Sequence, residues 1–199
     1  MKGISYYGNC VGVANVGGDC YTHKSYEKNP LVNIACLGIL KKDNIVYGRC
    51  TNQNQCLIYV GSKTGYEGVG GAAMASNVFH QEQDMKEIKS TIQKSDPYLE
   101  KLLLEACLEI AENKLAIGMQ DMGAGGLLCA TYEVIKRGRE LTNRNFGCKV
   151  FLDKVPTKYN MDSCDILISE SQERMLIVAD KDCEQTIFDI FEKWDLEYC

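Results

Sequence analysis

Leu99, Leu102, Leu103, Ala106, Cys107 and Ile110 recur at three- and four-residue spacing, with Glu100, Lys101, Glu105 and Glu109 turned away between them. That period belongs to a helix with one buried face. Asp96 suits its N-cap and Pro97 its first position, where a missing N–H costs nothing. Leu115 to Met119 then reads as a buried strand, ending at Gln120-Asp121 before glycines that open a second helix. This helix is expected from Ala124 to Arg137: Lys136 and Arg137 suit the negative helix end, and Gly138 can take a left-handed cap. Phe146 to Val155 is expected as a strand region, Met161 to Ser169 as a short helix, Glu173 to Ala179 as a strand and Asp182 to Lys193 as a last helix. This alternation makes the second half α/β or α+β, and the fold class assigned to the whole is α+β.

The first part of the chain has another texture. Glycines separate β-branched and apolar runs at Val11 to Val13, Leu31 to Leu40, Asn44 to Tyr47 and Gln55 to Val60, which read as strands joined by turns. Residues 64–73 hold too many glycines for an element interior and read as a bend or crossover. The polar stretch Gln81 to Lys94 reads as an exposed linker. The expected organisation is therefore a first domain over residues 1–80, a linker over 81–95 and a second domain over 96–199.

Composition narrows the function classes. A net charge of -5 argues against broad nucleic-acid binding, which needs a basic face. No apolar run reaches the length of a membrane span, and Met1 to Tyr7 lacks a signal-peptide core, so the cytoplasm is the expected compartment. The eleven cysteines are odd in number and never spaced C-x-x-C, which disfavours zinc and disulfide readings. Several, such as Cys36 and Cys107, lie in apolar runs and read as small hydrophobes. Neither His23 nor His80 neighbours a cysteine, so a Cys/His nucleophile pair has little support.

Two stretches carry candidate chemistry: Gln120-Asp121-Met122-Gly123-Ala124-Gly125-Gly126 and Ser169-Glu170-Ser171-Gln172-Glu173-Arg174-Met175. Each puts polar side chains at the edge of an apolar element. Glycines opening a helix let backbone N–H groups approach a phosphate, and a carboxylate beside them can hold a hard cation. Read alone, Asp121 is equally a helix cap, Gln93 a solvated linker residue, and Glu173 and Arg174 a surface ion pair. Gly61-Ser62-Lys63-Thr64 fails the phosphate-loop spacing, and Gly65, Gly68, Gly70 and Gly71 fail the dinucleotide fingerprint.

Taken together, these motifs place the chain in a resemblance. Tyr7 to Val13, Asn29 to Asn33, Val60 to Gly65, Gly70 to Ala72, Asp96 to Lys101, the Gln120 to Ala124 loop and Glu170 to Met175 stand in the order of the formylglycinamidine ribonucleotide synthetase family, over nearly the whole chain. The resemblance implies a ligase of purine biosynthesis. It would use ATP and Mg2+ to convert formylglycinamide ribonucleotide, with ammonia from a glutaminase subunit or domain, to the amidine. It further implies that Gln93, Glu170, Ser171 and Gln172 bind substrate and that Asp121 binds magnesium. The family's histidine-bearing motif has no counterpart before Tyr7, and its strands continue past the last helix. The chain is therefore expected to be an internal piece without catalytic residues of its own and inactive alone. Tyr66-Glu67, Ser95 and Asp19 stand where Arg-Asp, Gly and Glu are common in the family. Another member of the same superfamily, such as aminoimidazole ribonucleotide or selenophosphate synthetase, is the rival enzyme, disfavoured by Glu170 to Met175 and Asp96 to Lys101. A non-catalytic assembly module is the rival from another class.

Overall fold

The computed structural model describes residues 2–28, 30–69 and 93–199. The expected linker at 81–95 lies outside them except for its last three positions, as do residues 70–73 of the glycine-rich bend. The chain divides into two compact units, Met1–Ile45 and Val46–Cys199.

In the first unit, α1 spans Lys2–Val11, where the sequence suggested a strand beginning at Val11. Gly12, at φ 83°, ends it: Val13 N donates to Gly8 O at 2.7 Å and Gly12 N to Asn9 O at 3.3 Å. Those two bonds are the left-handed stop of a helix, so Gly12 closes an element instead of separating strands. Short 3-10 turns follow at Lys24–Tyr26 and Lys42–Asn44. The run Leu31 to Leu40 forms no strand, and Leu31, Val32, Ile34, Leu37, Ile39 and Leu40 are exposed. Asn44 to Tyr47 forms none either. A run of β-branched and apolar residues favours an extended backbone, but a strand exists only where another supplies its hydrogen bonds. Cys36 is likewise exposed and not a core hydrophobe.

Among its described residues, the second unit is a three-stranded antiparallel sheet between two helical layers. The helices and strands among the described residues are β1 (Gln55–Gly61), α2 (Pro97–Glu112), β2 (Gly118–Asp121), α3 (Gly126–Thr142), α4 (Ser163–Ile168), β3 (Arg174–Asp180) and α5 (Glu184–Lys193). The strand order is β1-β3-β2, with Gly61 opposite Arg174 and Asp121 opposite Met175. Tyr59, Leu176 and Val178 face one way, against Leu127, Val134 and Ile166 of α3 and α4. Ile58, Val60, Ile177 and Ala179 face the other way, against Leu103, Ala106 and Ile110 of α2 and Ile187 and Phe191 of α5. Burial on both faces explains why β3 reads as a continuous apolar run without alternation. Each fully buried Ile or Phe of these layers contributes about 1.5–3 kcal/mol by leaving water.

The helix expected at Asp96 forms as its periodicity predicts. Asp96 Oδ1 accepts from Tyr98 N and Leu99 N, and Pro97 occupies the first turn. The next helix departs from expectation: α3 runs through Gly138 to Thr142, and Asn143 takes the left-handed position. Gly138 is buried, and a Cβ there would stand 2.0 Å from Cys50 O. The glycine serves close approach of the 50s segment to the helix, not termination. Phe146 to Val155 forms no strand but a 3-10 turn at Leu152–Lys154; Phe146 is buried against α3, and its carbonyl accepts from Arg139 Nε. A groove of about 510 Å3 lies along α3, lined by Leu128, Thr131, Tyr132, Ile135, Arg139 and Leu167, and shares no lining residue with the polar cluster described next.

Candidate functional site

Three loops converge at one end of the sheet: Gly61–Val69 after β1, Met122–Gly125 after β2, and Ser169–Glu173 before β3. Strand register dictates the meeting, since Gly61, Arg174, Met175 and Asp121 lie side by side across the sheet.

Arg174 ties two of these loops together. It is 3% exposed, and it donates from Nε to Ser171 O at 2.6 Å, from Nη2 to Ser169 O at 2.5 Å and from Nη1 to Thr64 Oγ1 at 3.1 Å. The expectation of a surface ion pair at Glu173 and Arg174 is thus incorrect, because both side chains are buried and the guanidinium is taken up by backbone and hydroxyl acceptors. Burial pulls the Arg174 pKa below its ordinary value, while Tyr59, Glu67 and Glu170 act in the opposite direction. Burial also raises the Tyr59 phenol, whose hydroxyl reaches Ser62 O and Thr64 Oγ1.

Glu67 joins the same network from the first loop. Its Oε2 accepts from Ser171 Oγ at 2.6 Å and its Oε1 from Lys158 Nζ at 2.7 Å, while its carbonyl accepts from Glu170 N at 2.8 Å. Burial raises its pKa, but the bonds from Lys158 and Ser171 outweigh that and hold it below the usual carboxylate range. Tyr66 stacks on Tyr159 at 5.9 Å and donates to Asn160 O. The pair Tyr66-Glu67 therefore clamps the loop to the segment at Lys158–Asn160.

Glu170 stands at the centre. Its Oε1 accepts from Gly125 N at 3.1 Å, at the N-terminus of α3, and its Oε2 accepts from Gln93 Nε2 at 3.1 Å. The positive end of the helix, expected from the sequence to face a phosphate or metal, here meets the protein's own carboxylate. Gly68, at φ 75°, permits this approach, since a Cβ there would stand 2.4 Å from the Glu170 Cβ. Gln172 Nε2 donates to Glu170 O at 2.7 Å.

Of the residues singled out in the sequence, Gln93, Glu170 and Gln172 are thus in direct contact. Ser171 is fully buried, its hydroxyl donating to Glu67 and accepting from Gly65 N at 2.9 Å. Asp121 is exposed at the end of β2 and joins the others through the Met122–Gly125 loop. It caps no helix, because Gly125 is the N-cap of α3. Among the described residues no three His, Cys, Asp or Glu side chains converge as a metal cage. A lone exposed carboxylate still fits magnesium, which binds through one or two carboxylates and completes its shell with water and phosphate oxygens.

Lys158 carries no signal in the sequence, Glu67 stands there only as a departure from the family pattern, and Arg174 reads there as half of a surface ion pair. Arg174 left a trace there, as an arginine opening the otherwise apolar run Met175 to Ala179. Cys107, packed against the α2 layer, has its pKa pushed up by burial to about 12, which makes it an inert thiol.

Residues 52–199 match the family described as AIR synthase related protein, C-terminal domain. The chain is 46% identical over 198 residues to the phosphoribosylformylglycinamidine synthase subunit PurL of Helicobacter hepaticus, covering 99% of this chain and 26% of that protein. It is 47% identical to the PurL subunit of Nitratiruptor sp. over the same shares. The chain thus spans about a quarter of the length of these curated relatives. Thermotoga maritima PurL complexed with FGAR superposes with a TM-score of 0.89 at 38% identity, over 99% of this chain and 31% of that one. The same organism's PurL complexed with ATP gives 0.82 at 36% identity, over 100% and 30%.

Proposed function

We propose, for a chain whose residues 52–199 belong to the family of AIR synthase related protein C-terminal domains, that it forms part of an ATP-dependent amidine-forming ligase of purine biosynthesis. The proposed reaction converts formylglycinamide ribonucleotide to formylglycinamidine ribonucleotide, with ammonia supplied from glutamine by a glutaminase subunit or domain. The observation that carries this reading is the hydrogen bond between Gln93 and Glu170 beside the first turn of α3. It joins two residues far apart in sequence at a loop cluster, with Gln172 in contact. Similarity to synthases whose structures hold FGAR or ATP supports the substrate class.

The chain's own groups bind and position. Glu170 accepts from substrate hydroxyl or amide N–H groups, and the Gln93 and Gln172 amides can both donate and accept. Ser171, Glu67 and Arg174 hold Glu170 and Gln172 in place from behind. Asp121 would hold Mg2+, which when bound supplies charge neutralisation at the phosphates. Phosphoryl transfer to the formamide oxygen then relies on alignment and charge stabilisation.

The test uses the complete synthase. Gln172→Ala should raise the KM for formylglycinamide ribonucleotide by about two- to twelvefold, the loss of one neutral hydrogen bond, with kcat and the KM for ATP little changed. Glu170→Gln should raise the same KM further, because a charged acceptor is lost. Unchanged substrate KM in both variants, or a change confined to ATP, would refute the assignment.

A further inference from the structure

We infer that Gln120 is the positioning residue for Asp121, and that Arg137 fixes which way the Gln120 amide stands; the inference rests on the magnesium role proposed above for Asp121. Arg137 Nη1 donates to Gln120 Oε1 at 2.6 Å and to Gly48 O at 3.0 Å. A guanidinium has donors only, so the Gln120 atom facing it is the carbonyl oxygen. The amide nitrogen is thereby turned to the opposite side. There Nε2 donates to Asp121 Oδ1 at 2.7 Å and lies 3.3 Å from the Asp121 carbonyl oxygen.

Arg137 is itself held. Glu133, one turn earlier on α3, accepts from Nη2 at 2.9 Å, the (i, i+4) geometry of a helical ion pair. Gly48 leaves the room this arrangement needs. A Cβ at that position would stand 2.4 Å from Gln120 Oε1 and 2.9 Å from Arg137 Nη1. Glu133, Arg137, Gln120 and Asp121 thus form a chain from α3 to the end of β2 in which each link pairs a donor with an acceptor. One Asp121 oxygen is tied by an amide, which sets the plane of the carboxylate and leaves Oδ2 to face a cation.

Partners of this kind orient ligating carboxylates, and losing one typically weakens metal affinity by about 10–100-fold. The Arg137 and Glu133 side chains are 47% and 42% exposed, so water competes for the relay and the lower end of that range applies.

The experiment titrates Mn2+, a paramagnetic stand-in for Mg2+, into the complete synthase with ADP present and reads bound metal by electron paramagnetic resonance. Wild type is compared with Asp121→Asn, Gln120→Met, Arg137→Met and Gly48→Ala, with melting temperature as the folding control. Gln120→Met should weaken Mn2+ binding about tenfold. Arg137→Met and Gly48→Ala should weaken it in the same direction, and Gln120→Met should add nothing to Asp121→Asn. Should Gln120→Met unfold, Gln120→Asn, whose amide is too short to span both partners, carries the same expectation. If Asp121→Asn weakens Mn2+ binding while the Gln120 and Arg137 variants stay within about twofold of wild type, the positioning role is overturned and the Asp121 role stands. If Asp121→Asn itself leaves binding unchanged, the magnesium role falls and the positioning role with it.

Discussion

Replacing Arg174 by methionine tests whether the buried guanidinium organises the loop cluster. The side chain makes three hydrogen bonds, to Ser171 O, Ser169 O and Thr64 Oγ1. Hydrogen bonds to a charged group contribute about 1.5–3 kcal/mol each, so a simple sum reaches roughly 5–9 kcal/mol. That sum is an upper bound, because methionine escapes the cost of burying a charge and fills similar volume. Removing one member of a buried charged network, which strands its partners without donors, costs about 3–5 kcal/mol. Domain stabilities are about 5–15 kcal/mol, so a loss of that size removes a large fraction. At about 2–4 °C per kcal/mol for a chain of this size, the melting temperature should fall by roughly 6–20 °C. Urea unfolding followed by circular dichroism measures the loss directly, with an unchanged slope showing that the denatured state is not what moved. Arg174→Lys separates charge from geometry, since it keeps the cation but cannot present a planar fork to several acceptors. It should recover only part of the loss. An Arg174→Met cost below about 1 kcal/mol, or full recovery in Arg174→Lys, would refute the account of a network held by the fork.

Two further outcomes follow from single contacts. Gly138→Ala should destabilise by about 1–3 kcal/mol in spite of alanine's better helix propensity, because its Cβ would stand 2.0 Å from Cys50 O; a stabilised variant in thermal unfolding would refute the close-approach role. The lowered pKa of Glu67 means that its contribution is present above the unfolded value of about 4.3 and is lost as pH falls through the folded one. Glu67→Gln should therefore cost about 1 kcal/mol at neutral pH, a difference that shrinks once Glu67 is protonated in the folded and unfolded wild type at acid pH, and an equal difference at neutral and acid pH in paired urea titrations would contradict the sign.

What the sequence discloses depends on whether a signal is local. The α2 stripe and its Asp96-Pro97 start are local, since helical period and capping need nothing beyond the segment itself, and the structure has both. The uninterrupted run of β3 also survives, because burial on two faces writes itself as unbroken apolar residues. Leu31 to Leu40 fails for the opposite reason, as pairing is a property of two segments and an apolar run in one does not create its partner. Gly138 is a subtler case. A glycine required by a neighbouring carbonyl looks in sequence like a glycine required by a helix end. At the site, Gln93 and Gln172 are unremarkable polar residues unless a family pattern singles them out. Glu67 and Lys158, which meet across the fold, carry no mark at all in a single sequence.

The placement of Glu170 bears on how the proposed chemistry is divided within the cluster. A free helix N-terminus attracts anions, and an ordinary phosphate would be at home there. In this chain the first turn of α3 already faces the Glu170 carboxylate, and a second anion would have to displace it against like-charge repulsion. The position therefore favours ligand groups that bring hydrogens to the carboxylate, hydroxyls and amide N–H groups, over groups that bring negative charge. Phosphates are then better held where a cation offsets their charge, on the β2 side at Asp121. The two polar stretches thus assume complementary tasks on the proposed reading. Glu170 and Gln172, backed by Ser171, Arg174 and Glu67, meet the neutral polar groups of the substrate, while Gln120-Asp121 meets the charged end through magnesium. The Met122–Gly125 loop joins the two, with Asp121 before it and the amide that fixes Glu170 at its end. A change in that loop should consequently disturb substrate affinity and metal dependence together, whereas Gln172→Ala touches only the first and Gln120→Met only the second.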